Sequence, residues 1–209
     1  MNFASFNRRT APKVRNGVVQ RKNRHTPTTT LGYVVDRESP RRGFRHVVTK
    51  GDIHRFVGLI PDWPALSEGL ELILLSRGDA GEWADGFYRH FHREKTALIA
   101  INAWDGDLWA FWQLGYFVEH HHVLRAIGVS TTEEKGGFRC HFSESQAKAF
   151  LLLHVFMHEL GHHHDRMRWK QKNECKGGEP YAEEFANARF PAMLSKYVET
   201  FGNPASDAQ

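Results

Sequence analysis

The strongest constraint on the fold is one apolar stretch at residues 143–166, which reads SESQAKAFLLLHVFMHELGHHHDR. Ser143 is a suitable N-cap for a helix, and Gln146 occupies the capping-box position three residues later. Apolar residues then follow almost without interruption, and no Pro or Gly occurs before Gly161. A helix that is apolar nearly all round is buried. We therefore expect the rest of the domain to pack around this helix.

The end of the predicted helix carries the pattern His-Glu-x-x-His. His158 and His162 are four residues apart, so their imidazoles lie on one helix face and can bind one metal ion. Glu159 is placed to act as general base on a water molecule bound to that ion. Burial of these polar side chains without partners would be unfavourable, and metal binding supplies the partner. The donor types favour Zn2+ as the cofactor.

A third ligand is expected downstream, because catalytic zinc commonly takes two His and one Glu and leaves a fourth position for water. Residues 179–187, EPYAEEFAN, indicate the start of a second helix, with Pro180 suited to its first position. Glu183 and Glu184 point about 100° apart on a helix, so only one of them can face the metal. The residues alone leave this choice open.

Two further polar residues lie close to the pattern in sequence. His154 is one turn before His158, and we expect it to be a supporting or core histidine rather than a ligand. Asp165 follows the pattern and is suited to orient the imidazole of a ligand. Neither is expected to bind the metal itself.

The HELGH sequence, followed by a helix reading Glu-x-x-Ala-Asn, resembles the gluzincin-type zinc metallopeptidases and is most similar to the ImmA/IrrE-type group. The similarity covers residues 145–195. The run of histidines before Asp165 departs from the Leu-rich continuation of that group. The resemblance implies ligands at His158, His162 and Glu183, a base at Glu159, and a residue steadying a ligand at Asn187. Glu184 remains the alternative third ligand.

The resemblance also implies a fold and an activity. The expected fold is an α+β, zincin-like domain in which a small, mostly antiparallel sheet packs on the HExxH helix. The expected activity is that of a zinc metalloendopeptidase, whose protein or peptide substrate binds as an added strand at a sheet edge. Residues 87–102 are the candidates for that sheet. The alternative is a non-catalytic zinc-binding regulatory or interaction protein, since the ImmA/IrrE-type group is associated with transcriptional control.

The first 30 residues differ in composition from the remainder. They contain seven Lys and Arg residues and no acid, whereas the whole chain has a net charge of only +4. We expect a flexible basic arm at residues 1–30 and one metallopeptidase domain at residues 31–209. Lys and Arg at residues 8–24 would give weak nucleic-acid contact. A nucleic-acid binder acting through this arm is therefore a further alternative.

Composition limits the remaining possibilities. A chain of 209 residues with 41% hydrophobic residues can bury a substantial core. Two cysteines do not make a disulfide framework. Neither a membrane-spanning apolar run nor a secretory signal is evident, so we expect a cytoplasmic protein without membrane contact.

Local patterns predict the other elements. Residues 86–92 and 96–102 are expected to form a β-hairpin, and residues 108–126 a helix. Pro191 is expected to kink or divide the last helix.

Overall fold

The structure is a computed structural model that describes residues 32–78, 85–91, 93, 96–168 and 176–207. Within the predicted basic arm it describes only the backbone of β1 (Val14–Arg15) and β2 (Val18–Val19), which pair antiparallel. The predicted nucleic-acid contact of the arm depends on side chains outside the described residues. It therefore stays a prediction.

The remaining elements include both strands and helices. In chain order they are β3 (Val34–Arg37), β4 (Phe44–Arg45), α1 (Lys50–Val57), α2 (Trp63–Leu66), β5 (Leu70–Ser76), β6 (Gly86–Phe91), β7 (Thr96–Asn102), β8 (Trp104–Asp105), β9 (Trp109–Gln113), α3 (Leu114–Ala126), β10 (Ser130–Glu134), β11 (Gly137–His141), α4 (Glu144–Phe150), a π-helical segment (Leu151–Phe156), α5 (Met157–Arg168), α6 (Gly178–Phe201) and a 3-10 turn (Pro204–Asp207).

The main sheet has four strands in the order β3-β5-β7-β6. Strands β3, β5 and β7 are parallel, and β6 runs antiparallel to β7 at the sheet edge. The α+β class is confirmed, but this sheet is mixed rather than mostly antiparallel. The nearly continuous apolar sequences of β5 and β7, LELILLS and TALIAIN, are typical of parallel strands covered on both faces. A three-stranded sheet, β10-β11-β9, and the pair β4-β8 are antiparallel.

The predicted central helix is formed by α4, the π-helical segment and α5 in direct succession. Its predicted capping box is confirmed, because the Ser143 hydroxyl accepts the Gln146 amide and the Gln146 side chain accepts the Ser143 amide. Residues 149–157 are all buried. Helix α5 contacts β6, β7 and α6, so the HExxH residues lie between the main sheet and the last helix.

Gly161 allows α5 and α6 to approach closely. A Cβ atom at this position would lie 2.8 Å from the Ala182 Cα and 3.0 Å from the Ala182 carbonyl oxygen. No side chain fits there without moving backbone. The contact therefore fixes the distance between the two helices that carry the candidate ligands.

Two expectations about secondary structure are wrong in part. Helix α6 continues through Pro191 as one helix, so this proline does not divide it. Residues 108–126 do not form one helix, because residues 109–113 form β9 and pair with β11. The β11 partner lies far along the chain, and a local pattern cannot reveal it. Among the described residues, no helix is long and apolar enough to cross a membrane.

Candidate metal centre

The structure brings the two histidines of the HExxH pattern together with a carboxylate. The Nε2 atoms of His158 and His162 are 3.1 Å apart. The Glu179 carboxylate lies 3.1 Å from the His158 Nε2 and 3.4 Å from the His162 Nε2. Two ligands of a tetrahedral zinc ion, each bound at about 2.0–2.1 Å, lie roughly 3.3 Å apart. The outer triad, as we call His158, His162 and Glu179, therefore has donor types and separations that fit zinc.

Glu183 lies on the opposite side of the His158 ring. Its Oε2 is 3.2 Å from the His158 Nδ1. Burial alone would raise the pKa of Glu183, but the hydrogen bond from His158 and the neighbouring histidines lower that pKa to about 2. An ionised carboxylate only accepts hydrogen bonds, so the His158 Nδ1 donates to Glu183. The His158 Nε2, which lies 3.1 Å from the Glu179 carboxylate, would then be the nitrogen that binds a metal ion. A carboxylate behind a metal-binding histidine is a common arrangement in metal sites.

The three acidic residues in the first two turns of α6 thus lie in three different environments. Glu183, the expected third ligand, contacts the Nδ1 side of His158, whereas the two histidines meet at their Nε2 atoms. Glu184, the alternative ligand, is exposed and belongs to neither of the two possible metal-binding groups among the described residues. Sequence reasoning missed Glu179. The sequence feature that could have identified Glu179 is its spacing of four residues from Glu183, which puts both carboxylates on one face of α6.

Asn187, expected to steady a ligand, contacts Glu183. Its Nδ2 donates to the Glu183 Oε1 at 2.9 Å, and its Oδ1 accepts from the His122 Nε2 at the same distance. His154 is buried, and its Nε2 lies 3.6 Å from the Glu183 Oε2. The Asn187 hydrogen bond therefore orients the Glu183 carboxylate, whereas His154 lies beside it without a hydrogen bond.

Asp165 is fully buried where α5 ends. It accepts a hydrogen bond of 2.6 Å from the Gly177 amide, immediately before α6. Burial lowers the pKa of the His162 imidazole, and the negative charge of Asp165 opposes this shift without reversing it. Asp165 therefore ties the start of α6, where Glu179 lies, to the helix that carries both histidines.

Glu159 is buried between α5 and the edge strand β6, with 7% of its surface exposed. Its carboxylate accepts a hydrogen bond from the Tyr88 amide. Burial, together with the charges of Glu179 and Asp85, raises the pKa of Glu159 to about 7, against the opposing effect of His158. Such a carboxyl group can take up and release a proton near neutral pH.

Strand β6 approaches the centre because Gly86 has no side chain. A Cβ at Gly86 would lie 2.7 Å from the Val155 Cγ1 and 3.5 Å from the Glu159 Cγ. Two residues further on, the Tyr88 ring lies nearly parallel to the His162 ring, with 6.4 Å between their centroids. The sheet edge therefore runs directly beside the candidate base and one candidate ligand.

Comparison of the chain with models of protein families, with curated proteins and with solved structures finds no match. The resemblance to gluzincin-type metallopeptidases therefore depends on the HELGH and Glu-x-x-Ala-Asn residues. The functional argument depends on them and on the geometry described above.

Proposed function

We propose that the protein is a zinc-dependent metallopeptidase that hydrolyses peptide bonds. The observation that carries this proposal is the outer triad beside the buried carboxylate of Glu159. Two imidazole nitrogens and one carboxylate at these separations leave room for a fourth ligand, as catalytic zinc sites do. The buried Glu159 carboxyl group, with its pKa raised to about 7, is suited to proton transfer next to such a site.

Each residue has a separate role in this proposal. His158, His162 and Glu179 would hold the ion, and Glu183 would keep the His158 Nε2 lone pair directed at it. When bound, zinc would supply Lewis-acid chemistry by polarising a substrate carbonyl and acidifying a water molecule. Glu159 would accept the proton of the attacking water at its carboxylate and transfer it to the departing amine.

The edge strand supports a peptide as the substrate. Strand β6 pairs with β7 on one side and ends the four-stranded sheet on the other. The Tyr88 amide points away from β7 to the Glu159 carboxylate, so this side of the strand faces the candidate base. A peptide added along β6 would gain backbone hydrogen bonds and would bring a peptide carbonyl to the outer triad.

The test uses a mixture of peptides from a digested proteome, because a mixture samples many cleavage sequences. We expect zinc-loaded protein to generate new peptide termini, which mass spectrometry identifies. A chelator should abolish the cleavage, and added zinc should restore it. Glu184→Gln is the matched control, since this exposed residue of α6 lies outside the outer triad. Cleavage that persists without metal would contradict the proposal.

A further inference from the structure

A second group of metal-ligand side chains lies behind the outer triad, at the interface of α3, the π-helical segment and α6. It consists of His120, His154 and Glu183, which we call the inner triad. One ligand atom from each residue lies within 4.8 Å of the other two. Both histidines are 3% exposed, and the Glu183 side chain is 14% exposed. The inner triad is therefore much better shielded from solvent than Glu179, whose side chain is 78% exposed.

The orientation of the His120 ring is fixed by its other nitrogen. The His120 Nδ1 is 2.7 Å from the Tyr116 carbonyl oxygen. Because a carbonyl oxygen only accepts, Nδ1 carries a proton, and Nε2 is the ring nitrogen left to bind a ligand. This Nε2 faces the Glu183 Oε2 at 3.8 Å, which is too far for a hydrogen bond. A cation between the two atoms would bind both of them.

The ring nitrogens of His154 also lack hydrogen bonds to the described side chains that surround them. Its Nδ1 is buried and has no hydrogen-bond partner among the described residues. Its Nε2 is 3.6 Å from the Glu183 Oε2, which is too long for a hydrogen bond. The ring is held between Phe150, which stacks on it, and His120, which meets it edge-on at 4.5 Å. The His154 Nε2 thus makes no hydrogen bond to Glu183 and can bind a cation that lies between the two side chains, while Nδ1, on the other side of the ring, would need a separate partner.

We propose that the inner triad is a second binding site for a zinc-class divalent cation, held by the Nε2 atoms of His120 and His154 and by the Glu183 Oε2. Imidazole and carboxylate donors suit zinc and the neighbouring transition metals. The separations of 3.6 and 3.8 Å to Glu183 need only a small contraction to reach the roughly 3.3 Å between ligands of a tetrahedral ion.

The surroundings of Glu183 are compatible with this second role. Asn187 donates to its Oε1, which leaves Oε2 for the cation and for the His158 Nδ1 proton. Glu183 would thus link the two sites, with the inner ion on one side and His158 on the other. The inner site has no catalytic role in this proposal, so it can be tested whether or not the protein is a peptidase.

The test measures how zinc leaves the full-length protein when a chromogenic chelator is added in excess. We expect two equivalents per chain, one released quickly from the exposed outer triad and one slowly from the inner triad. His162→Gln should lose the fast equivalent, and His120→Gln the slow one. His121→Gln is the matched control, because this adjacent histidine of α3 is exposed, and it should keep both. A single equivalent, or two equivalents unaffected by His120→Gln, would overturn the proposal.

A second measurement needs no variant and therefore does not depend on the folding of His120→Gln. Crystals of the zinc-loaded protein should show two anomalous peaks at the zinc absorption edge. One peak should lie about 2.0–2.1 Å from the Nε2 atoms of His120 and His154. A map with a peak at the outer triad alone would also refute the inner site.

Discussion

Replacement of Gly161 by Ala tests whether helix approach sets the geometry of the metal centre. The new Cβ would lie 2.8 Å from the Ala182 Cα, 3.0 Å from the Ala182 carbonyl oxygen and 3.1 Å from the Phe185 Cβ. Ordinary contacts between carbon atoms are about 3.5–4.0 Å. Because two of the obstructing atoms are backbone, α6 must move away by about 1 Å to relieve the clash.

The expected change in the free energy of unfolding follows from two opposing effects of Gly161→Ala. Ala is favoured over Gly in a helix interior by about 1 kcal/mol. Overpacking of a tight interface typically costs about 1–3 kcal/mol. The strain outweighs the gain in helix propensity, so the free energy of unfolding should fall by up to about 2 kcal/mol. The effect on metal binding should be larger, because Glu179 and Glu183 both move with α6, while ligand distances tolerate only about 0.2 Å.

The assay is zinc competition with a chromophoric chelator, combined with urea unfolding of the metal-free protein. We expect Gly161→Ala to weaken zinc binding at the outer triad by at least about 10-fold. The matched control is Gly115→Ala in α3, where the added Cβ meets no atom within 4 Å. Gly115→Ala should leave zinc affinity unchanged. If Gly161→Ala bound zinc as tightly as the wild type, the inference that the α5–α6 contact positions the ligands would be refuted.

Two further predictions concern single carboxylates. Glu183→Gln should lower zinc affinity by about 10–100-fold, because His158 loses the ionised acceptor that orients it. The exposed neighbour provides the control, since Glu184→Gln should bind zinc like the wild type in the same competition assay. Asp52 completes the capping box at the start of α1, in which Thr49 is the N-cap residue. Burial acts to raise the pKa of Asp52, but hydrogen bonds from Arg55 and Thr49 and the charge of Lys148 hold that pKa below its ordinary value. Its stabilising effect is therefore fully present above about pH 4 and is lost as the pH falls through the lowered pKa. Asp52→Asn should cost about 1–3 kcal/mol in urea unfolding at pH 7, and the difference from the wild type should shrink below pH 4. A difference that stayed constant down to pH 2 would show that the Asp52 charge does not stabilise the fold.

Local sequence signals predicted the central helix and the adjacent hairpin well. The capping box at Ser143 and Gln146 needs only residues three apart, and it is present as expected. The alternating pattern placed the hairpin at residues 86–92 and 96–102, and the strands are Gly86–Phe91 and Thr96–Asn102. These features depend on neighbours in the chain, which the sequence displays directly.

The assignment of carboxylates could not be made in the same way. Which residues of α6 face α5 depends on how α6 is rotated and how closely it approaches, and this is set by the contact of Gly161 with Ala182. Likewise, three consecutive histidines on α3 look equivalent in sequence. Only packing shows that His120 is buried while His121 and His122 are exposed. Tertiary contacts thus decide which of several suitable side chains can act as ligands.

The central claim is that Glu159 performs proton transfer beside a zinc ion held by His158 and His162. The most direct test is the rate at which Glu159→Gln cleaves a peptide that the wild type hydrolyses, measured at equal zinc content. Loss of a general base should lower this rate by about 10²–10⁴-fold while zinc stays bound. A variant that binds zinc and cleaves at the wild-type rate would contradict the claim. If neither protein cleaves any peptide although both bind zinc, the result would favour the alternative of a non-catalytic zinc-binding regulatory or interaction protein.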